Sequence, residues 1–142
     1  MPRRNAHSWK CPKCRRAFAK KHQWHSCKVY TVAKHFRGKP RELKQTFDML
    51  VARLRDLGPL RVDAVQTMIH FFGSRFCFGG VTVKKDHVRL GFVCDDAIQD
   101  ERLLRTQRVG PRRVGHSINL TSPEDVDDRL MNWLKRAYEL QS

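Results

Sequence analysis

The residues of this chain best suited to chemistry are five Cys and His side chains near its start, Cys11, Cys14, His22, His25 and Cys27. Thiolates and imidazole nitrogens bind Zn²⁺, which prefers four such ligands in a tetrahedron, and a Cys-x2-Cys turn places two thiolates on one ion. The spacing therefore predicts a zinc site. Because protein ligands can fill all four positions, we expect the site to be structural and not catalytic.

Three of these residues compete for two places on the metal. Only seven residues separate Cys14 from His22, whereas a ββα Cys2His2 finger needs about 12, so a shorter zinc knuckle is predicted. We assign Cys27 as the third ligand, because thiolate binds Zn²⁺ well, and His25 as the fourth, with His22 as its alternative. A redox pair or a chance cluster is the metal-free alternative. Zinc is favoured because so short a segment cannot bury enough apolar surface to fold unaided.

The same segment carries most of the positive charge. The chain nets +15, and the 41 residues before its first acid, Glu42, hold 13 of its 29 Lys and Arg. Such a field attracts polyanions, so we expect nucleic acid, DNA or RNA, as the partner, with an acidic protein as the rival. No run of 18 apolar residues exists, so no membrane span is predicted. The contacts expected in this segment are Arg3, Arg4, Trp9, Lys10, Lys13, Arg15, Arg16, Lys20 and Lys21.

Aromatic residues alternate with these basic ones. Unpaired bases stack on aromatic rings in many single-strand and RNA binders. The competing interpretation is that the rings form the small core of the knuckle. We favour that core for Phe18 and Trp24, and we take Trp9 as the best stacking candidate.

A second basic segment, 102–123, contains five Arg and no acid. Gly110 and Pro111 predict that part of it is a turn or an exposed loop. Its alternative role is a solvated face paired with Asp95, Asp96, Asp100 and Glu101. The candidate phosphate contacts here are Arg105, Arg108, Arg112 and Arg113.

The sequence contains no catalytic motif that we recognise. It has neither a P-loop nor a nucleophile elbow, so an enzyme is the less favoured class. His70, His87 and His116 fall on or beside predicted strands, where a shared pocket would indicate ligand binding or catalysis. Cys77 and Cys94 are interpreted as small buried hydrophobes.

The elements that must position these residues follow from the hydrophobic periods. Helical spacing predicts a long helix over 40–57 and a short one over 32–36, and a Ser-Pro-Glu-Asp start at 122–125 predicts a last helix. Strand-like runs cover 64–72, 75–83, 87–93 and 114–120. The fold class predicted is α+β, a mostly antiparallel sheet with helices packed on one face, preceded by the knuckle. We expect two modules, 1–28 and 29–142, and a reduced, cytoplasmic location because the five Cys accompany no export signal.

Several local motifs resemble the bacterial family catalogued as domain of unknown function 5655. They are Trp9-Lys10-Cys11-Pro12-Lys13-Cys14 with Phe18, Gln23-Trp24-His25-Ser26-Cys27, the Phe76 strand, residues 120–127, Trp133-Leu134 and Ala137-Tyr138. The resemblance implies an α+β domain, preceded in some members by a knuckle, and it brings no established activity.

The leading hypothesis is a zinc-knuckle protein that binds nucleic acid through its basic segment. A protein–protein interaction module is the first alternative. A small-ligand-binding or enzymatic α+β domain is the second, and a deep cleft holding two or more of His70, His87 and His116 would favour it.

Overall fold

A computed structural model of the chain describes residues 9–13, 15, 17–18, 20–22, 24, 30–74 and 76–140. The chain forms two compact units, residues 1–30 and 31–142, and each is described by itself below. Within the described residues, no helix is both long enough and apolar enough to cross a bilayer.

The first unit contains a short antiparallel hairpin. Strand β1 (Trp9–Lys10) pairs with β2 (Ala17–Phe18), and Trp9 lies opposite Phe18. The turn between them brings the amide of Arg15 to 2.7 Å from the carbonyl oxygen of Cys11, and Arg15 has a φ of 64°. This turn holds Cys11 in a buried position, 3% exposed.

The second unit contains three helices whose ends follow from local chemistry. Helix α1 (Val32–Phe36) begins after Thr31, whose hydroxyl accepts a hydrogen bond from the amide of Lys34. Helix α2 (Arg41–Arg55) covers most of the predicted 40–57 segment. Helix α3 (Asp128–Leu140) follows a 3-10 turn at Pro123–Asp125, so it begins later than the capping signal suggested. The signal itself is real, since Ser122 and Asp125 form a reciprocal capping box.

Six antiparallel strands form one sheet in the order β3-β4-β5-β6-β8-β7. Their bounds are β3 Arg61–Ala64, β4 Ile69–Phe72, β5 Cys77–Val83, β6 Val88–Cys94, β7 Leu103–Gly110 and β8 Arg113–Leu120. Two sequence expectations differ from this. The run 64–72 is not one strand, because residues between Ala64 and Ile69 form the turn of the β3–β4 hairpin. The edge strand β7, which lies within the basic segment 102–123, was not predicted.

The turn signal at Gly110 and Pro111 marks only the tip of the β7–β8 hairpin, where Gly110 pairs with Arg113. Strand β7 was missed because it has one neighbour and no apolar alternation. Its residues are exposed at six successive positions, 104–109. Charged side chains are a common feature of edge strands, where they discourage pairing with other chains.

The core lies between one face of the sheet and the helices. On β6 the side chains of Val88, Leu90, Phe92 and Cys94 are buried, and they join the cluster that includes Leu50 of α2 and Leu134 of α3. The α+β prediction, with helices on one face of an antiparallel sheet, is therefore confirmed. The alternate residues of the strands point to the opposite face, which we call the open face.

Candidate functional site

A row of directly paired residues crosses the open face. His70 on β4 lies opposite Gly80 on β5, and Gly80 lies opposite Gly91 on β6. Gly91 in turn pairs with Ser117 on β8, and Ser117 with Arg105 on β7. The middle of the row therefore carries almost no side chain, whereas the imidazole of His70, which is paired in turn with Asp63 on β3, lies on one side of it and the guanidinium of Arg105 on the other.

This absence of side chains leaves a groove of about 460 Å³ on the open face. That volume lies within the usual range for a small-ligand site, roughly 300 to 1,000 Å³. Among the described residues that line the groove, none is Asp or Glu. The groove's polar and cationic side chains belong to His70, Cys77, Thr82, Arg89, Arg105, Gln107 and Ser117.

Three of the four glycines that line the groove, Gly80, Gly91 and Gly115, form what we call the glycine floor. At Gly80 an added Cβ would lie 2.8 Å from the carbonyl oxygen of Ile69 and 2.9 Å from the methyl carbon of Met68, so packing requires glycine there. The other two positions differ. An added Cβ would come no closer than 3.7 Å at Gly91 and 3.6 Å at Gly115, which are ordinary contacts. Neither residue has a positive φ.

A β-bulge positions the groove's thiol. The register between β4 and β5 shifts at Phe71 and Phe72, so that Cys77 pairs with Phe72 and reaches the open face. Gly79 is required at the bulge, because a Cβ there would lie 2.5 Å from the carbonyl oxygen of Gly91. The sulfur of Cys77 lies 3.8 Å from Nδ1 of His70. Bulges often re-aim a side chain beside a binding site.

The two guanidinium groups of the groove are not held by carboxylates. Arg89 is exposed and donates from Nε to the amide oxygen of Asn119 at 3.2 Å. Arg105 is exposed on the edge strand. Within the part of the chain that the structure describes, no ion pair joins Arg89 or Arg105 to an acid. Both remain available to an anionic ligand.

Two of the four acids expected to pair with the second basic segment form ion pairs elsewhere, although Asp100 also accepts a hydrogen bond from the amide of Arg102 at 2.8 Å. Asp95 pairs with Arg136 at 3.1 Å and Asp100 with Arg129 at 3.1 Å, both arginines being on α3. The hydrogen bond from Arg136 is the main reason that the pKa of Asp95 lies below its ordinary value. Of the five arginines in the segment, Arg102 does pair with an acid, but that acid is Asp127, at 2.9 Å, and not one of the four expected.

The remaining arginines of that segment occupy three places. Arg105 lies in the groove, whereas Arg108 pairs with Val114 and so lies on the other side of β7. Arg112 and Arg113 are exposed at the hairpin tip. Arg112 has a φ of 56°, a left-handed conformation that disfavours residues other than glycine and asparagine.

The three strand histidines converge only in part. His70 and His116 both line the groove, but the imidazole of His116 is buried on the core side, stacked on Phe92 and accepting a hydrogen bond from the amide of Ile98 at 3.0 Å. Burial lowers the pKa of His116, the carbonyl of Val114 opposes that shift, and the Arg136 cation adds to it. His87 lies in the β5–β6 turn, with Nδ1 2.7 Å from Asp86. Two of the three histidines therefore border one groove, and His87 lies outside it.

The two cysteines of the domain differ. Cys94 is buried, as expected, and its thiol approaches the carbonyl oxygen of Trp133 at 3.5 Å. Burial raises the pKa of Cys94 to about 11. Cys77 is exposed, so the interpretation of it as a buried hydrophobe is wrong.

Only part of the predicted zinc site lies within the described residues. Cys11 is buried, and His22 is exposed with its ring against Trp9 at a centroid distance of 5.1 Å. The ligand candidates Cys14, His25 and Cys27, like the predicted contacts Arg3, Arg4 and Arg16, lie outside the described residues. The described residues alone contain no group of three Cys, His, Asp or Glu able to hold a metal.

The aromatic residues of the first unit differ in their exposure. Trp9 is partly buried and packs on Phe18, with ring centroids 6.2 Å apart. Trp24, expected in the core, is 89% exposed. The predicted basic contacts Lys10, Lys13, Arg15, Lys20 and Lys21 are all exposed.

Sequence reasoning missed most of the groove. Arg89, Gln107 and Ser117 received no role. A usable signal was the presence of glycine inside three predicted strands, at positions 80, 91 and 115, because glycine there leaves one face of a sheet without a side chain.

The fold and the site define an α+β domain with helices on one face of an antiparallel sheet and a basic groove on the other. The family described as Domain of unknown function (DUF5655) matches residues 32–141. The chain belongs to that family. No curated protein and no solved structure matches it.

Proposed function

We propose that this protein binds nucleic acid, and that phosphate contacts supply most of the affinity. The observation that carries the proposal is the groove on the open face, where Arg89 and Arg105 project and no described lining residue is acidic. Guanidinium groups stay charged at all physiological pH values and match the geometry of phosphate oxygens.

The charge distribution of the whole chain supports the same partner. The net charge of +15 is far above what solubility requires, and most of it lies in the first 41 residues. Lys and Arg in that segment supply a second set of phosphate contacts. A nucleic acid is the polyanion that such extended positive charge attracts most commonly.

A structural zinc ion in the first unit forms part of the proposal. Its ligands would be Cys11, Cys14, His25 and Cys27, with His22 as the alternative to His25. Cys11 supports this assignment, because it is buried in a tight turn although Trp9 and Phe18, in the described part of the hairpin around it, are only partly buried. Bound zinc would supply the stability that so small a unit lacks.

The metal is tested by measuring zinc in the purified full-length chain by mass spectrometry. One zinc per chain is expected, and the Cys11→Ser variant should lose it. A matched control is Cys77→Ser, which changes the same atom in the other unit and should retain the metal. A wild-type chain without zinc, refolded in its presence, would contradict the assignment.

Nucleic-acid binding is tested by fluorescence anisotropy with labelled single- and double-stranded DNA and RNA at several salt concentrations. If about six phosphates are neutralised, the logarithm of the association constant should fall with the logarithm of salt with a slope of about −5 on duplex DNA. No binding to any probe at low salt, or binding that salt does not weaken, would reject the function. The Cys11→Ser variant shows whether affinity needs the folded knuckle or its charge alone.

A further inference from the structure

We propose that the groove accepts one unpaired nucleotide of a single strand, with its base lying flat on the glycine floor and its phosphates on Arg89 and Arg105. This inference rests on the proposed function. It adds that the open face distinguishes unpaired from paired strands.

The glycine floor has no side chains at two positions where packing would allow them. Glycine weakens a strand, because it has no side chain to pack and gains most backbone freedom on unfolding. At Gly91 and Gly115 neither a positive φ nor a close contact requires it. Two such positions, on neighbouring strands and facing the same groove, are explained if a flat group must approach the peptide planes. An aromatic ring is such a group.

The volume of the groove also favours a single unpaired base. A groove of about 460 Å³ has the volume of a small-ligand site and not that of a surface for a double helix. A base within a duplex is stacked on both faces and paired at its edge, so it cannot lie on the floor. Unpaired bases can turn outward and stack on a protein surface.

The polar groups around the glycine floor are placed to contact a nucleotide. Arg105 ends the cross-strand row beside Ser117, and Arg89 lies two residues before Gly91 on the same strand. The amide of Gln107 stands opposite Gly115. Cationic groups, a hydroxyl and an amide thus border the glycines, with the side chain of Val93 beside Gly115. This arrangement suits a planar ring that carries phosphates on one side.

The test fills the floor without changing any charge. Gly91→Val and Gly115→Val place a branched side chain in the groove, and the ordinary contacts that a Cβ would make at each position predict that both variants fold. Gly110→Val is the matched control, because this glycine of the same sheet has a comparable Cβ contact, 3.9 Å, and does not line the groove. Thermal unfolding of each variant verifies the fold, and Gly91→Ala is the milder substitute if a valine variant unfolds.

Affinity is measured by anisotropy for a fluorescein-labelled deoxythymidine 12-mer and for a hairpin duplex of matched length. Each groove variant should bind the single strand roughly tenfold more weakly, the order of one base contact. Its salt dependence should be unchanged, and its duplex affinity and the Gly110→Val control should match wild type. Equal losses on both probes would overturn the inference, as would wild-type affinity for the single strand. Either result leaves the proposed function standing if the wild-type chain still binds in a salt-dependent way.

Discussion

Removing the two guanidinium groups of the groove should reduce the salt dependence of binding by a calculable amount. Arg89→Gln and Arg105→Gln together lower the net charge by two and keep long, polar side chains at both exposed positions. Glutamine also keeps an amide donor that can reach Asn119, which Arg89 contacts at 3.2 Å. The fold should therefore be unaffected, and thermal unfolding verifies this.

The magnitude follows from counterion release. Each phosphate of a single strand that the protein no longer neutralises lowers the salt slope by about 0.7, so two such phosphates lower it by about 1.4. Raising the salt concentration from about 50 to about 200 mM is a fourfold change. Over that range the fold-loss of affinity should be roughly seven times larger for the wild-type chain than for the double variant.

The control removes the same charge from the helix side of the domain. Arg55 on α2 and Lys135 on α3 are both exposed, and the helices lie on the face opposite the groove. The double variant Arg55→Gln/Lys135→Gln should keep the wild-type slope, because only general attraction is reduced. Anisotropy titrations of the deoxythymidine 12-mer measure all three proteins. Equal slopes for the two double variants would refute the assignment of phosphate contacts to the groove.

Three further results are expected. Because burial holds the pKa of His116 below its ordinary 6.5, the unfolded chain gains a proton first as pH falls. The contribution of His116 to the free energy of unfolding is therefore complete above about pH 6.5 and declines below it, by at most about 1.4 kcal/mol near pH 5.5 in urea unfolding. A His116→Gln variant with the same pH dependence would exclude this cause. Maleimide labelling followed by peptide mapping should modify exposed Cys77 and spare buried Cys94, whose pKa is about 11, and comparable rates would contradict that difference. Arg112→Gly should raise the free energy of unfolding by about 1 kcal/mol, because φ at this position is 56°, whereas a lower value would show that the arginine side chain stabilises the turn.

The elements with strong internal periodicity were predictable. Helix α2 has an apolar stripe from Leu43 to Leu54, and the Ser122-Pro123 pair predicts the turn that precedes α3. Strand β7 was not predictable in the same way. An edge strand exposed on both faces lacks the alternation from which strands are recognised. The turn between Ala64 and Ile69 was hidden because the residues around it are also apolar.

The groove illustrates a different limit. Its central row joins His70, Gly80, Gly91, Ser117 and Arg105, one residue from each of five strands. Composition could reveal each residue alone, but their alignment depends on the register of four strand pairs and on the bulge at Phe71 and Phe72. A shift of one residue in any pair would move a side chain to the other face. The site is therefore a product of the sheet and not of a local motif.

The most direct test of the central claim is an NMR titration of the ¹⁵N-labelled full-length chain with an unlabelled deoxythymidine oligonucleotide. If a single strand lies in the groove, the amide signals of Gly80, Gly91, Gly115 and Ser117 should shift progressively, whereas those of Leu50 in α2 and Leu134 in α3 should stay in place. Shifts confined to residues 1–30, or to the helices, would contradict the claim. The nucleic acid would then bind without the open face of the sheet.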